Sequence, residues 1–199
     1  MKHIIKQEEP KSFTEWKNKA NNEWKPTYYN IDKQERIDLF DSLMKEQGYI
    51  CCYCERELKE GDSHIEHFKP KDKNKFPELE LEYNNLFCSC QVNLKKGEPL
   101  HCGNSKGNWF DDNLLISPLD QNCESKFRYT HDGQILPVDN DDEAAKKTIE
   151  KLQLNLNKLK GLRKGVIDAL LYDEDVAWYL DIKEGRFNEF HTTIKYLFA

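Results

Sequence analysis

Apolar positions recur at helical steps near both ends of the chain and lose that period in between. The first segment, "PKSFTEWKNKANNEW" (10–24), opens with Ser12 and Glu15 in capping-box spacing and is predicted to be a helix. A second helix is predicted over "NIDKQERIDLFDSLMKEQG" (30–48), where Ile31, Ile37, Leu39, Phe40, Leu43 and Met44 follow a helical pattern that stops at Gly48. From about Tyr49 to Leu136, cysteine, histidine, asparagine, glycine and proline punctuate short apolar runs, and "RYTHDGQIL" (128–136) predicts a hairpin around Asp132-Gly133. Helical spacing returns after Pro137. Ile149, Leu152, Leu156, Leu159, Leu162, Val166 and Leu170 recur at mostly three- and four-residue steps, and "RFNEFHTTIKYLF" (186–198) predicts a last helix. The expected architecture is α+β: an N-terminal helical region (1–48), an irregular core (49–136) and a C-terminal helical region (137–199), with no repeat or low-complexity linker.

Size and charge narrow the chemistry. A chain of 199 residues can bury a core without disulfides. "MKHIIKQEEPKSF" turns charged within a few residues, unlike a signal peptide, and no stretch has membrane-spanning length, so a cytoplasmic protein with no membrane partner is expected. The net charge of −6 argues against a stand-alone nucleic-acid binder with a basic face. That charge is uneven: "FKPKDKNK" (68–75) and "LKKGEPLHCGNSKG" (94–107) are locally basic, whereas "DNDDEAAKK" (139–147) and "YDEDVAWYLDIKEG" (172–185) are acidic. A phosphate would approach the middle of the chain more easily than its end.

Seven cysteines, an odd number in a reducing compartment, point to metal or catalysis before a disulfide framework. Cys51 and Cys54 form a C-x-x-C pair able to share one ion. Among Cys88, Cys90 and Cys102, the pair Cys90 and Cys102 is chosen to close a tetrahedral four-cysteine zinc site. Cys52 is expected to point away from the ion, Cys88 to face the opposite side of a strand from Cys90, and Cys123 to be a small buried apolar residue. Trp16, Trp24, Trp109 and Phe110 read as core or partner-facing residues, and Lys69, Lys71, Lys73 and Lys75 as a solvated loop with at most a weak role on DNA.

Between the thiol pairs lie "SHIEHFKPK" and "YNNLFCSC", and "CGNSKG" follows from the last cysteine. This order resembles the HNH nucleases, the ββα-metal family with a zinc knuckle, and its elements stand here as Cys51/Cys54, Glu66-His67-Phe68-Lys69-Pro70, Asn85-Leu86, Cys90/Cys102 and Cys102-Gly103-Asn104-Ser105-Lys106. Together with "LISPLDQNCESKFRY", "DGQILP" and "TIEKLQLNLNKLKGLRK", it is similar to the HNH nucleases of retron and Septu anti-phage systems, the PtuB type, over roughly residues 1–170.

The resemblance implies a ββα-metal core with structural zinc, framed by N-terminal and C-terminal helices. It further implies a metal-dependent endonuclease that hydrolyses DNA phosphodiesters as the effector of a defence complex. The implied partners are an ABC/SMC-like ATPase of the PtuA type and a retron reverse transcriptase with its RNA–DNA product; the acidic C-terminal part suits a protein surface, so the flanking helices, including 11–25 or 143–171, are expected to dock on the ATPase. His67 would be the general base, its imidazole titrating near neutrality. Glu66 would hold a catalytic Mg²⁺ or Mn²⁺, and Lys106 would sit near the scissile phosphate. Asn85 either orients the loop or ring of His67 or is a plain turn residue. Gly103 has no side chain where the family places its second metal ligand, so Asn104 is the substitute and His101 the alternative. His64 could bind metal or phosphate, or be a solvated strand residue. Two other functions stay open: a zinc-structured adaptor without catalysis, and an RNA- or tRNA-cleaving HNH effector.

Overall fold

The computed structural model describes residues 1–59, 61–172 and 175–199; Asp173 and Glu174 of the acidic C-terminal stretch lie outside them. Helix α1 (Lys11–Lys17) packs against α2 (Lys33–Glu46), burying Phe13 and Trp16 on one side and Leu39, Leu43 and Met44 on the other. The predicted capping box does not form. Pro10 precedes the first turn without a side-chain cap, which places Ser12 inside the helix, where its hydroxyl donates to Asp38 at 2.6 Å. Nor does α1 reach Trp24. The Asn21 side chain accepts from the backbone N–H of Glu23 and of Trp24, a local turn that competes with the helix.

Strands β1 (Ser63–His67) and β2 (Leu86–Cys90) pair antiparallel, with Ser63 opposite Cys90 and His67 opposite Leu86. The short helix α3 (Cys102–Lys106) follows and packs on β2. The predicted hairpin is present as β3 (Phe127–Tyr129) and β4 (Ile135–Pro137), joined through Gly133 at a φ of 82°.

The helical pattern after Pro137 is not one helix. It divides into α4 (Glu143–Lys151) and α5 (Asn157–Leu171) around buried Leu152 and Leu154. Backbone groups in the break are claimed from outside: the Leu152 carbonyl accepts the Cys102 N–H at 2.8 Å, and the Leu154 carbonyl accepts from Arg163 at 2.5 Å. Asn155 pairs with both backbone groups of Ile135. Short α6 (Val176–Leu180) and α7 (His191–Phe198) end the chain. The segment expected to start the last helix at Arg186 instead runs along the cysteine turn, where the N–H groups of Phe187 and Phe190 reach the Gly48 and Glu55 carbonyls. The larger hydrophobic cluster draws residues from all three regions of the sequence, and a smaller one gathers Ile167, Leu170 and Ile194.

Candidate active site and metal centre

The sequence folds the first thiol pair into a tight knuckle. Ile50 and Glu57 bridge antiparallel, the Cys51 N–H donates to the Arg56 carbonyl at 2.8 Å, and the Glu55 N–H donates to the Cys51 carbonyl at 3.0 Å. Glu55 takes a φ of 62°, which turns the chain back on itself. Cys90 arrives from the end of β2 and Cys102 from the first residue of α3. The four sulfurs of Cys51, Cys54, Cys90 and Cys102 are buried and lie within 4.8 Å of one another. Cys54 and Cys90 are 3.7 Å apart, matching the edge of about 3.8 Å of a tetrahedron built on metal–sulfur bonds of about 2.3 Å. All seven cysteines are free thiols, and this donor set fits a structural zinc ion. Burial alone would raise the Cys51 thiol, but hydrogen bonds from the other cysteines, Cys102 first, hold it well below the usual range.

The remaining thiols are not part of the quartet, although Cys52 hydrogen-bonds Cys51. Cys88 directs its sulfur to the Phe40 carbonyl of α2. Strand alternation is not the reason it differs from Cys90, because residues two apart share a face. Cys90 is the last residue of β2, and the chain turns directly after it at Gln91, which takes a φ of 73°. Cys52 and Cys123 are buried, and burial pushes the Cys123 thiol up to about 12.

Alternation along β1 sends His64 and Glu66 to one face and His67 to the other. Glu66 is buried, and its Oε1 is held by the Lys106 ammonium at 2.9 Å and the Tyr53 hydroxyl at 3.2 Å. Its Oε2 lies 3.7 Å from Nε2 of His64. Burial alone would raise this carboxyl, but the His64 ring and the Lys106 ammonium outweigh it and hold the group below the usual carboxylate range. Lys106 is itself buried and also donates to the carbonyls of His67, Phe68 and Gly107. Its present role is to anchor Glu66 and the end of β1.

The His67 ring is buried edge-to-face against Tyr28, 4.6 Å between centroids, and its Nε2 meets the Glu80 carbonyl at 3.0 Å. A carbonyl only accepts, so Nε2 carries the proton and Nδ1 offers the lone pair. Burial first, then the Lys71 ammonium, lowers its pKa to about 4, whereas the sequence reading placed it near neutrality. The ring is therefore neutral at physiological pH and available as a base, though a weak one. Asn85 accepts from the Lys69 N–H at 2.7 Å and donates to the Lys69 and Leu79 carbonyls, which pins the loop that leaves His67.

Neither substitute for the second metal ligand meets Glu66. Asn104 turns its amide to the Gln91 carbonyl, and His101 packs its Nδ1 against the sulfurs of Cys102 (3.2 Å) and Cys90 (3.7 Å). The residue that does meet Glu66 is His64, and sequence reasoning left it undecided. The signal was present as His-x-Glu, a spacing of two that places both side chains on one face of a strand. In the basic loop, Lys69 pairs with Asp112, Lys71 lies over Tyr28, and Lys75 donates to the Asn108 carbonyl, while Lys73 is exposed.

No protein-family profile matches the chain. The chain is 34% identical over 137 residues to a protein of Vibrio cholerae serotype O1 biovar El Tor named "Retron Vc95 putative HNH endonuclease". The match covers 66% of this chain and 64% of that protein's length. The chain thus spans less than two thirds of the length of that relative. Among the described residues no helix is long and apolar enough to cross a membrane.

Proposed function

We propose that the chain is a metal-dependent HNH endonuclease that hydrolyses DNA phosphodiesters within a retron anti-phage complex. The observation that carries this reading is His67 itself, a neutral imidazole with its tautomer fixed by the Glu80 carbonyl. It adjoins an ionised carboxylate, on a β-hairpin that runs into a short helix and is stapled by four cysteines. The element order β1, β2, α3 supports the reading of a ββα-metal core. In the proposed reaction, Nδ1 of His67 takes the proton of the attacking water while Glu80 keeps the ring oriented. Glu66 would hold a divalent cation, which when bound supplies charge compensation at the phosphate and leaving oxygen. Lys106 fixes the carboxylate that receives this ion. Asn85 keeps the loop after the base in place.

The partner in this reading is an ATPase of the ABC/SMC-like class, as in PtuA–PtuB systems of retron and Septu type, together with the retron's reverse transcriptase and its RNA–DNA product. The negative net charge supports a shared task in which the complex holds the DNA. Cleavage of double-stranded DNA by the zinc-loaded protein, with and without the co-expressed ATPase, tests both statements. The expected result is cutting with Mg²⁺ or Mn²⁺ that strengthens with the ATPase and falls about a hundredfold or more in His67→Ala, with zinc content and far-ultraviolet circular dichroism unchanged. Equal cutting by His67→Ala would remove the assignment of the base, and cutting indifferent to the ATPase would remove the partner. Cleavage confined to RNA would make the chain an RNA-directed effector.

A further inference from the structure

The space beside Glu66 exists because residue 103 is glycine. A Cβ built there would stand 2.4 Å from Oε2 of Glu66, 2.8 Å from its carboxyl carbon and 3.1 Å from Nε2 of His64. These distances are too short for any side chain, so Gly103, on the first turn of α3, is the floor of a cradle walled by one carboxylate oxygen and one imidazole nitrogen. The carboxylate is prepared for an ion. Its Oε1 is occupied by Tyr53 and Lys106, which leaves Oε2 aimed into the cradle opposite His64.

We propose that Glu66 Oε2 and His64 Nε2, across Gly103, are the protein ligands of a divalent cation, with water completing the coordination. This deepens the nuclease reading and rests on it for the ion's role, while the site itself rests on the cradle. His64 takes the place that the sequence would give to Asn104 or His101, both of which are engaged elsewhere. Two donors 3.7 Å apart can share an ion at bond lengths of about 2.1 Å with an angle near 120° between them. The His64 side chain is one-quarter exposed, which leaves a path for the ion and its waters. An imidazole ligand favours a first-row transition ion over Mg²⁺, so Mn²⁺ is the suitable probe.

Mn²⁺ titration of the zinc-loaded chain, followed by the loss of the free-ion electron paramagnetic resonance signal, tests the site without reference to cutting. One bound Mn²⁺ per chain is expected. Binding should weaken about tenfold or more in His64→Ala and in Glu66→Gln, and should be lost in Gly103→Ala, whose Cβ fills the cradle. Asn104→Ala should bind as the parent does. A parent that binds no Mn²⁺, a His64→Ala variant that binds it equally well, or an Asn104→Ala variant that loses it overturns the proposal. Thermal melting of each variant separates lost binding from lost folding. Bound Mn²⁺ that vanishes in His64→Ala, in a protein that cuts nothing, would leave the cation site standing and remove the nuclease reading. Cutting that depends on His67, with Mn²⁺ binding indifferent to His64, would do the reverse.

Discussion

His67 trades solvent for a carbonyl and an aromatic edge, and that exchange has a consequence for stability. Its folded pKa of about 4 lies below the ordinary 6.5, so between those values the unfolded chain binds the extra proton. Stability from this residue is therefore complete above pH 6.5 and is lost as the pH falls towards 4, with a slope approaching about 1.4 kcal/mol per pH unit. Urea unfolding of the parent and of His67→Gln at pH 5, 6 and 7 measures it. The parent should lose more stability than the variant between pH 6.5 and 5. Parallel losses would mean that the ring is not buried neutral. Protonation of the cysteine quartet is common to both proteins and drops out of the comparison, and Glu66, held below the usual carboxylate range, titrates at lower pH. At this scale the sequence made the thiol quartet legible, because C-x-x-C spacing and cysteine chemistry are local. It did not reveal the partner of Glu66. Gly103 lacks the ligand side chain that the family pattern places there, and its bare Cα provides the space in which Glu66 and His64 meet.

Elements were legible where one local rule decided them. Asp132-Gly133 gave the β3–β4 hairpin, and the turn has a further duty that spacing does not encode. Gly133 sits at a φ of 82°, its carbonyl accepts from the buried Arg163 at 2.6 Å, and an added Cβ would stand 2.3 Å from the Lys160 carbonyl of α5. Gly133→Ala thus combines left-handed strain with a clash against backbone and should cost more than about 2 kcal/mol. Gly161 lies inside α5, and a Cβ there would meet no neighbour within 4 Å. Its change to alanine should gain about 0.8 kcal/mol. Chemical denaturation of the two variants checks the contrast, and equal effects would contradict the docking of the turn on α5. The break between α4 and α5 was not legible for a related reason. Leu152, Leu156 and Leu159 keep helical steps across it, while the Cys102 N–H, distant in sequence, and the Arg163 side chain from α5 claim the carbonyls at the break.

The whole molecule converges on the cysteine knuckle. Cys51 and Cys54 follow α2, Cys90 ends β2, and Cys102 opens α3 with its N–H on the Leu152 carbonyl at the end of α4. The neighbouring Glu55 takes the Phe190 N–H on its carbonyl and the Thr192 N–H on its carboxylate, drawing α7 onto the same turn. Four sulfurs buried this closely need a cation to become thiolates together, so ion binding and folding are one equilibrium. Metal analysis should find about one zinc per chain. Cys54→Ser should lose it and melt at lower temperature, whereas Cys123→Ala, outside the quartet, should keep it. Because the hairpin carrying Glu66 and His67 is tied to the knuckle through Cys90, removal of zinc by a chelator should also abolish Mn²⁺ binding at His64 and Glu66. A parent protein that is folded and free of zinc would refute the structural role of the quartet. Zinc removal that leaves Mn²⁺ binding intact would show that the β1–β2 hairpin and α3 hold their relative positions without the ion, and that packing of Leu86, Phe87 and Ile65 in the core suffices to align them.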